Sequence, residues 1–397
     1  MRLEMPRYME RLGGVKFYGI QRVLELTGGI TTGPAGDAPG TVNVSRADLE
    51  NLESEMAIIV PVKDENPKLL EGVLSGIPHE AFVIIVSNSS HDVIDRYRVE
   101  TDIVFQFYRL TRRPFLMIHQ KDRALAKALT EAGYPHIVGE DGVVRNGKGE
   151  GMIVGLILAK ALGKRYVGFI DSDNYIPGSV NEYVDIYAAG FYMAKSRYAM
   201  VRLKWPYKTK FAGRRFYFRR RGRVSEITNK YMNMLVARVT GFESDIIQTS
   251  NAGEHAMTIE LAERMAYSSG FSIEPYEVVH LLENYTGIEK NPPHPEMLSE
   301  GVEVFQVEPR NPHIHEERGE EHIPRMMAAS LGTIYHSRLA DEELRARIVD
   351  ELIARRALRA GEEPPRPRVM PPFKDVDAKK VLEVLEAESD TLAFLED

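Results

Sequence analysis

Asp171 and Asp173 stand with one serine between them in "FIDSDNYIPG" (169–178). Two carboxylates converging where a strand ends supply hard oxygen donors, the kind that hold Mg2+ or Mn2+ beside a diphosphate. A bare Asp-x-Asp is more often a solvated turn. Here the preceding "RYVGFID" is strongly apolar, which sets the pair on a core strand, and "NYIPGSV" supplies a turn and a helix start. A second candidate is "RNGKGEGM" (145–152). A lysine flanked by glycines ahead of a helix can meet a phosphate through Lys148 and backbone N–H groups. Its spacing is neither that of a P-loop nor that of a dinucleotide fingerprint, and a plain surface loop explains it equally well.

Segment 202–223 carries ten basic residues, no acidic ones and six aromatics, among them Trp205, the only tryptophan. Such a segment suits a nucleic-acid patch, a two-stranded ribbon offering arginines to a small anion, or a solvated basic hairpin. Gly222 and Arg223 precede Ser225, an expected N-cap with Glu226 in the first turn. An arginine beside a helix N-terminus makes a phosphate site. "TSNAGEHAMTIELA" (249–262) reads as a loop running into a helix, with Glu254 and His255 at its start. His313 and His315 fall in a loop after a strand, and either one can complete a metal site with the aspartates.

These residues need a scaffold, and the chain between 56 and 200 supplies one. Apolar runs at 56–62, 81–88, 115–120 and 166–173 alternate with helical spacing, which predicts a mainly parallel, doubly wound α/β sheet. Each run opens into polar residues: Lys63, Asp64 and Glu65; Ser87 to Ser90; Gln120, Lys121 and Asp122; Asp171 and Asp173. Ligands of such sheets bind at the carboxyl ends of the strands. Residues 1–55 read as an N-terminal extension with short strands and a Gly/Pro/Thr-rich loop. Residues 56–200 read as a nucleotide-binding domain and 201–340 as a following region with antiparallel strands. Helices are expected at about 225–240, 253–268 and 323–357, within a C-terminal helical part, 341–397, that contains a Pro-rich linker, 361–372.

Composition narrows the classes. With 43% hydrophobic and 27% charged residues the chain is globular. A net charge of −7 argues against general nucleic-acid binding. The absence of cysteine excludes disulfides, thiolate catalysis and zinc–thiolate sites. The charged start "MRLEMPRYMERLGG" lacks an apolar signal core, and the most apolar helix, 151–163, is too short for a bilayer. A cytoplasmic protein without membrane partners is expected.

The motifs "PVKDE", "SNSS", "HQKD", "GKGEGM", "FIDSDNYIPG", "GRVSEITN", "SNAGEHAM" and "RNPHIHE", in this order, closely resemble the mannosyl-3-phosphoglycerate synthase family over about residues 1–340. Several are shared with the more distant glucosyl-3-phosphoglycerate synthases. The resemblance implies a GT-A glycosyltransferase fold with antiparallel additions to the sheet, in which 56–200 would be the nucleotide-sugar-binding domain and 201–340 the acceptor-binding region. It implies retaining transfer of mannose from GDP-mannose to 3-phosphoglycerate with Mg2+, or Mn2+ or Co2+. The product would serve mannosylglycerate (compatible solute) synthesis, with a separate phosphatase removing the phosphate. The implied catalytic set is Asp171, Asp173, Glu254 and Lys148. Pro61, Lys63 and Glu65 would face the guanosine, with Ser89, Gln120, Lys121, Lys148, Asp171 and Ser172 completing the donor site. Asp173 and His313 would hold the metal, ahead of Asp171 and His315. Gly222, Arg223, Ser225 and Asn251 would bind the acceptor, and Glu254 the mannose hydroxyls. A homodimer is expected. The competing readings are a UDP-glucose-dependent glucosyl-3-phosphoglycerate synthase and a sugar-phosphate nucleotidyltransferase.

Overall fold

The computed structural model of the chain describes residues 1–26, 40–91, 95–174, 176–205, 208–212, 215–219, 223–315 and 322–395, with backbone alone for 208–212, 215–219, 223, 315 and 322. Most of the Gly/Pro/Thr-rich loop and Gly222 lie outside the described residues, as do the side chains of Arg223 and His315.

The chain opens with β1 (Arg2–Glu4), β2 (Met9–Leu12), β3 (Val15–Tyr18), β4 (Gln21–Glu25) and β5 (Thr41–Asn43). Helix α1 (Arg46–Ser54), capped by Ser45, leads into the alternating part. This runs β6 (Met56–Val62), α2 (Pro67–Gly76), β7 (Phe82–Ser87), α3 (Arg96–Thr111), β8 (Phe115–His119), α4 (Arg123–Glu131), α5 (Lys148–Ala161), β9 (Tyr166–Phe169) and α6 (Pro177–Met193). Strands β8-β7-β6-β9 are neighbours in that order and all parallel. Every residue of β7 and β8 is buried, because helices cover both faces. That is why these strands read as unbroken apolar runs rather than alternating ones. Pro61, which has no N–H to give, falls beyond Ile59, the last residue of β6 paired to β9.

After residue 200 the alternation breaks, as expected. The elements are β10 (Ala199–Leu203), β11 (Lys208–Ala212), β12 (Arg215–Arg219), α7 (Arg223–Thr240), β13 (His255–Thr258), α8 (Ile259–Ala262), β14 (Tyr267–Ser268), α9 (Ile273–Tyr285) and α10 (Pro295–Glu300). Then come β15 (Val302–Glu308), β16 (His313–His315), α11 (His322–Tyr335), α12 (Glu342–Ala354), β17 (Val369–Met370), α13 (Ala378–Glu388) and β18 (Ala393–Leu395). The main sheet continues past β9 through β13, antiparallel on both sides, to β10, and then to β15, which lies parallel to β10. β18 closes the far edge against β8. The ribbon β11–β12 is antiparallel, as expected, and β16 joins it. Among the described residues no helix is long and apolar enough to cross a membrane.

Five expectations are corrected. His313 to His315 are not part of a loop but form the strand β16, because their backbone pairs with β11. The stretch 253–268 is not a helix: His255–Thr258 is a strand whose four side chains are all buried, and only Ile259–Ala262 turn helically before β14. Its backbone fills the gap between β9 and β10, and two hydrogen-bond ladders outweigh the helix preference of alanine and methionine. Arg202 and Leu203, the start of the basic segment, belong to β10 of the main sheet and not to the ribbon. The strand before the aspartates ends at Phe169, leaving Asp171 and Asp173 in the following turn. Finally, α7 begins at Arg223, so Ser225 sits in its first turn instead of capping it, with Val224 already packed in the core.

Candidate active site

The strand ends meet above β6 and β9. Lys148 is the first residue of α5, whose N-cap, Gly147, offers no side chain to the helix. Its Nζ lies 2.7 Å from Asp171 Oδ1 and 2.9 Å from Glu274 Oε1. Burial opposes the charge, but Asp171 and Glu274 outweigh it and hold the ammonium well above the ordinary lysine range. Gly253 is pressed against this group. A Cβ there would stand 2.7 Å from Asp171 Oδ2 and 3.3 Å from Lys148 Nζ, so no other residue fits without displacing the pair.

On the other side of the same turn, Asn174 Nδ2 donates to Glu254 Oε1 at 2.7 Å. Asn174 Oδ1 lies 3.0 Å from His313 Nδ1. The His313 ring stacks on Trp205 at 4.5 Å between centroids. The loop before His313 is held from α6: the Glu182 carboxylate accepts the N–H groups of Arg310 and Asn311, and Ser179 Oγ donates to Pro312 O. The Asp-Ser-Asp turn, the start of β13 and the "NPHIH" segment, distant in sequence, are thus one assembly. Ser172 is buried and Asp173 half-buried within it.

At the ends of β6 and β7 the polar residues are hydrogen-bonded to one another and to α3. Ser87 and Ser89 hydroxyls both donate to the buried Glu100 carboxyl, each at 2.6 Å. Burial pushes this carboxyl up, against the pull of the two hydroxyls. Ser89 Oγ also accepts Asp64 N, and Asp64 Oδ1 accepts Ser90 N and Oγ. Gln120 Nε2 donates to Arg145 O and Gly147 O, and Lys121 Nζ to Val144 O, so both shape the loop that delivers Lys148. Lys63 is exposed, while Pro61 and Glu65 are half-buried, at the end of β6.

A cavity beside this assembly is lined by Trp205, Ser225, Asn229, Gln248, Thr249 and Asn251, among others. It brings Ser225 and Asn251 together although 26 positions separate them. Asn229 fastens its two walls: Nδ2 donates to Gln248 O, and Oδ1 accepts Ser250 N. One turn on, Asn233 does the same with both backbone groups of Ile247. Under the loop, Arg202 is fully buried. It pairs with Glu277 at 2.6 Å and donates to Thr249 O, Ser250 O and Glu274 O. His255 closes the network on Glu277 at 3.0 Å.

Sequence reasoning missed Asn174, Glu182, Glu274, Asn229 and Glu277, the buried partner of Arg202 and His255. Asn174 was within reach, since it directly follows the aspartate pair; the others depend on long-range packing. Among the described residues no group of three acidic or histidine side chains is gathered as a metal cage. Asp173 directly precedes Asn174, whose amide meets His313, so a carboxylate and an imidazole, donor types that a divalent ion accepts, belong to one assembly.

Comparison with known proteins bears on the whole chain. The family model described as "Mannosyl-3-phosphoglycerate synthase" matches residues 5–385. The mannosyl-3-phosphoglycerate synthase of Pyrococcus furiosus is 48% identical over 392 residues, covering 99% of each chain. That of Aeropyrum pernix is 44% identical, covering 98% of each. Among solved structures, glucosyl-3-phosphoglycerate synthase from Mycobacterium tuberculosis, in complex with Mn2+, UDP-glucose and glycerol 3-phosphate, aligns with a TM-score of 0.51 at 16% identity. The alignment covers 84% of this chain and 96% of that one. A complex of the same enzyme with Mn2+, UDP-glucose and phosphoglyceric acid gives 0.51 at 17%, covering 84% and 95%.

Proposed function

Because the chain belongs to the mannosyl-3-phosphoglycerate synthase family and has the GT-A fold, we propose that it transfers mannose from GDP-mannose to 3-phosphoglycerate with retention of configuration. The observation that carries this reading is the double attachment of the Asp-Ser-Asp turn, to Lys148 on one side and through Asn174 to Glu254 and His313 on the other.

Breaking the sugar–phosphate bond places negative charge on the leaving diphosphate. Lys148, charged throughout the working range, is aimed by two carboxylates and stabilises that charge. Asp173 and His313 would hold a divalent cation, which would supply Lewis-acid neutralisation of the same diphosphate. The solved glucosyl-3-phosphoglycerate synthase complexes contain Mn2+ with UDP-glucose, which supports a cation here. Asp171, tied to Lys148, positions the donor, and Glu254 receives mannose hydroxyls. Pro61, Lys63 and Glu65 serve the guanosine end. Gln120, Lys121 and Ser89 act chiefly by fixing the loops around it.

The acceptor occupies the cavity with Ser225 and Asn251, its phosphate on Gly222, Arg223 and the first turn of α7. Holding the acceptor hydroxyl close to the anomeric carbon supplies the proximity term. Two candidate carboxylates are already engaged, Asp171 by Lys148 and one oxygen of Glu254 by Asn174. The reaction therefore runs on one face of the sugar, with the leaving phosphate oxygen taking the acceptor's proton. A mannosylated enzyme carboxylate trapped by mass spectrometry would refute that route. The chain acts in the cytoplasm as a homodimer.

The test is purified protein with 3-phosphoglycerate and Mg2+, given GDP-mannose or UDP-glucose in parallel, with and without EDTA. Phosphorylated mannosyl product from GDP-mannose, abolished by EDTA, is expected. Product from UDP-glucose alone would move the donor assignment to glucose.

A further inference from the structure

Asn174 is 1% exposed; its Nδ2 donates to Glu254 Oε1 and, at 3.3 Å, to Asp171 O, and its Oδ1 faces His313. Its orientation follows from the network. Glu254 Oε1 at 2.7 Å takes a donor, so Nδ2 faces Glu254 and Oδ1 faces His313. An oxygen facing the ring at 3.0 Å calls for a proton on Nδ1. Glu254 itself cannot serve as that acceptor, since its Oε1 is 3.6 Å from Nδ1, beyond hydrogen-bond reach. The stack on Trp205 keeps the ring in this plane.

From this geometry we infer that Asn174 is a positioning residue that joins the sugar end of the site to the metal end. One amide aims the Glu254 carboxylate and fixes His313 as the Nδ1–H tautomer, which makes Nε2 its ligating nitrogen. The role rests on the assignment of His313 to the cation. It mirrors the general rule that a ligating histidine gives its other N–H to an acceptor that sets ring and tautomer. Asn174 touches neither sugar nor cation. It acts through two residues that reach the donor from opposite sides, so disturbing it loosens both at once.

Two measurements test this. In the full-length 15N-labelled protein, without metal, long-range proton–nitrogen correlation reads the tautomer of each imidazole; the His313 signal is identified by its loss in His313→Gln. Protonation at Nδ1 is expected, and protonation at Nε2 overturns the inference. Mn2+ is then titrated by electron paramagnetic resonance in the presence of GDP. Asn174→Leu, close in volume but without the amide, is expected to weaken Mn2+ binding by about tenfold or more, while GDP binding without metal stays unchanged. Asn174→Ala gives the same readout should the leucine variant misfold. Wild-type protein that binds Mn2+ with both variants unchanged overturns the role of Asn174 and leaves the metal assignment standing. Wild-type protein that binds no Mn2+ with GDP overturns the assignment and this role together.

Discussion

Replacing Lys148 with methionine keeps most of the side-chain stem and removes the charge, leaving Asp171 and Glu274 facing each other without the cation between them. Breaking a buried ion pair from one side costs about 3–5 kcal/mol, because the remaining charge is stranded. Asp171 retains 30% of its side-chain exposure and can rehydrate, whereas Glu274 retains 7%. The cost should therefore sit near the low end, about 3 kcal/mol, mostly at Glu274. Glu274→Gln alone leaves Lys148 with Asp171 and should cost only about 1 kcal/mol. The double variant no longer strands Glu274, so it should be more stable than Lys148→Met alone by about 1–2 kcal/mol. Urea unfolding of the four proteins, compared at constant slope, measures this coupling. Strictly additive losses would refute the ion triad. Turnover gives a second reading: losing a fixed cation at the leaving group should lower kcat about 100- to 1,000-fold, and Glu274→Gln should not restore it.

Asp173→Ala should abolish turnover while the unfolding midpoint changes little; near-wild-type activity would remove Asp173 from the cation site. Arg223→Ala should raise KM for 3-phosphoglycerate about tenfold or more with a smaller change in kcat, and an unchanged KM would detach the start of α7 from the acceptor phosphate. Away from the site, Glu53 is fully buried, and burial, with the Asp185 carboxyl alongside, pushes its carboxyl up to about 9. The native state then holds a proton that the unfolded chain releases near the ordinary value of 4.5, so stability declines as pH rises from there to about 9. Glu53→Gln should flatten that decline, with a higher Tm than wild type at pH 9 and little difference at pH 5; parallel Tm curves would contradict it.

The parallel core was legible because strands covered on both faces must be apolar throughout, and their polar ends mark where ligands bind. Of the candidate residues, Asp171 and Asp173 were read at such an end; Lys148, Glu254 and His313 came from motifs elsewhere in the chain, and the fold brings Lys148 to Asp171 and both Glu254 and His313 to Asn174. What local pattern cannot carry is pairing across the chain. β13 was read as helix because "HAMT" has no strand signature of its own; β9 and β10 impose the conformation. Arg202 was counted with the basic ribbon, yet it is fully buried with Glu277, 75 positions later. Glu274 meets Lys148 across 126 positions. Asn174 lay next to the motif, but in a turn an asparagine looks like a turn residue; its amide does bond locally to Asp171 O, and the partners distant in sequence, Glu254 and His313, come only with the fold.

The measurement that bears most directly on the account is NMR analysis of the product formed from GDP-[1-13C]mannose and 3-phosphoglycerate with Mg2+. The account predicts one new anomeric carbon, α-configured as in the donor, bonded through oxygen to C2 of the phosphoglycerate. A β-configured product, or GDP-mannose left unconsumed beside 3-phosphoglycerate, would contradict it.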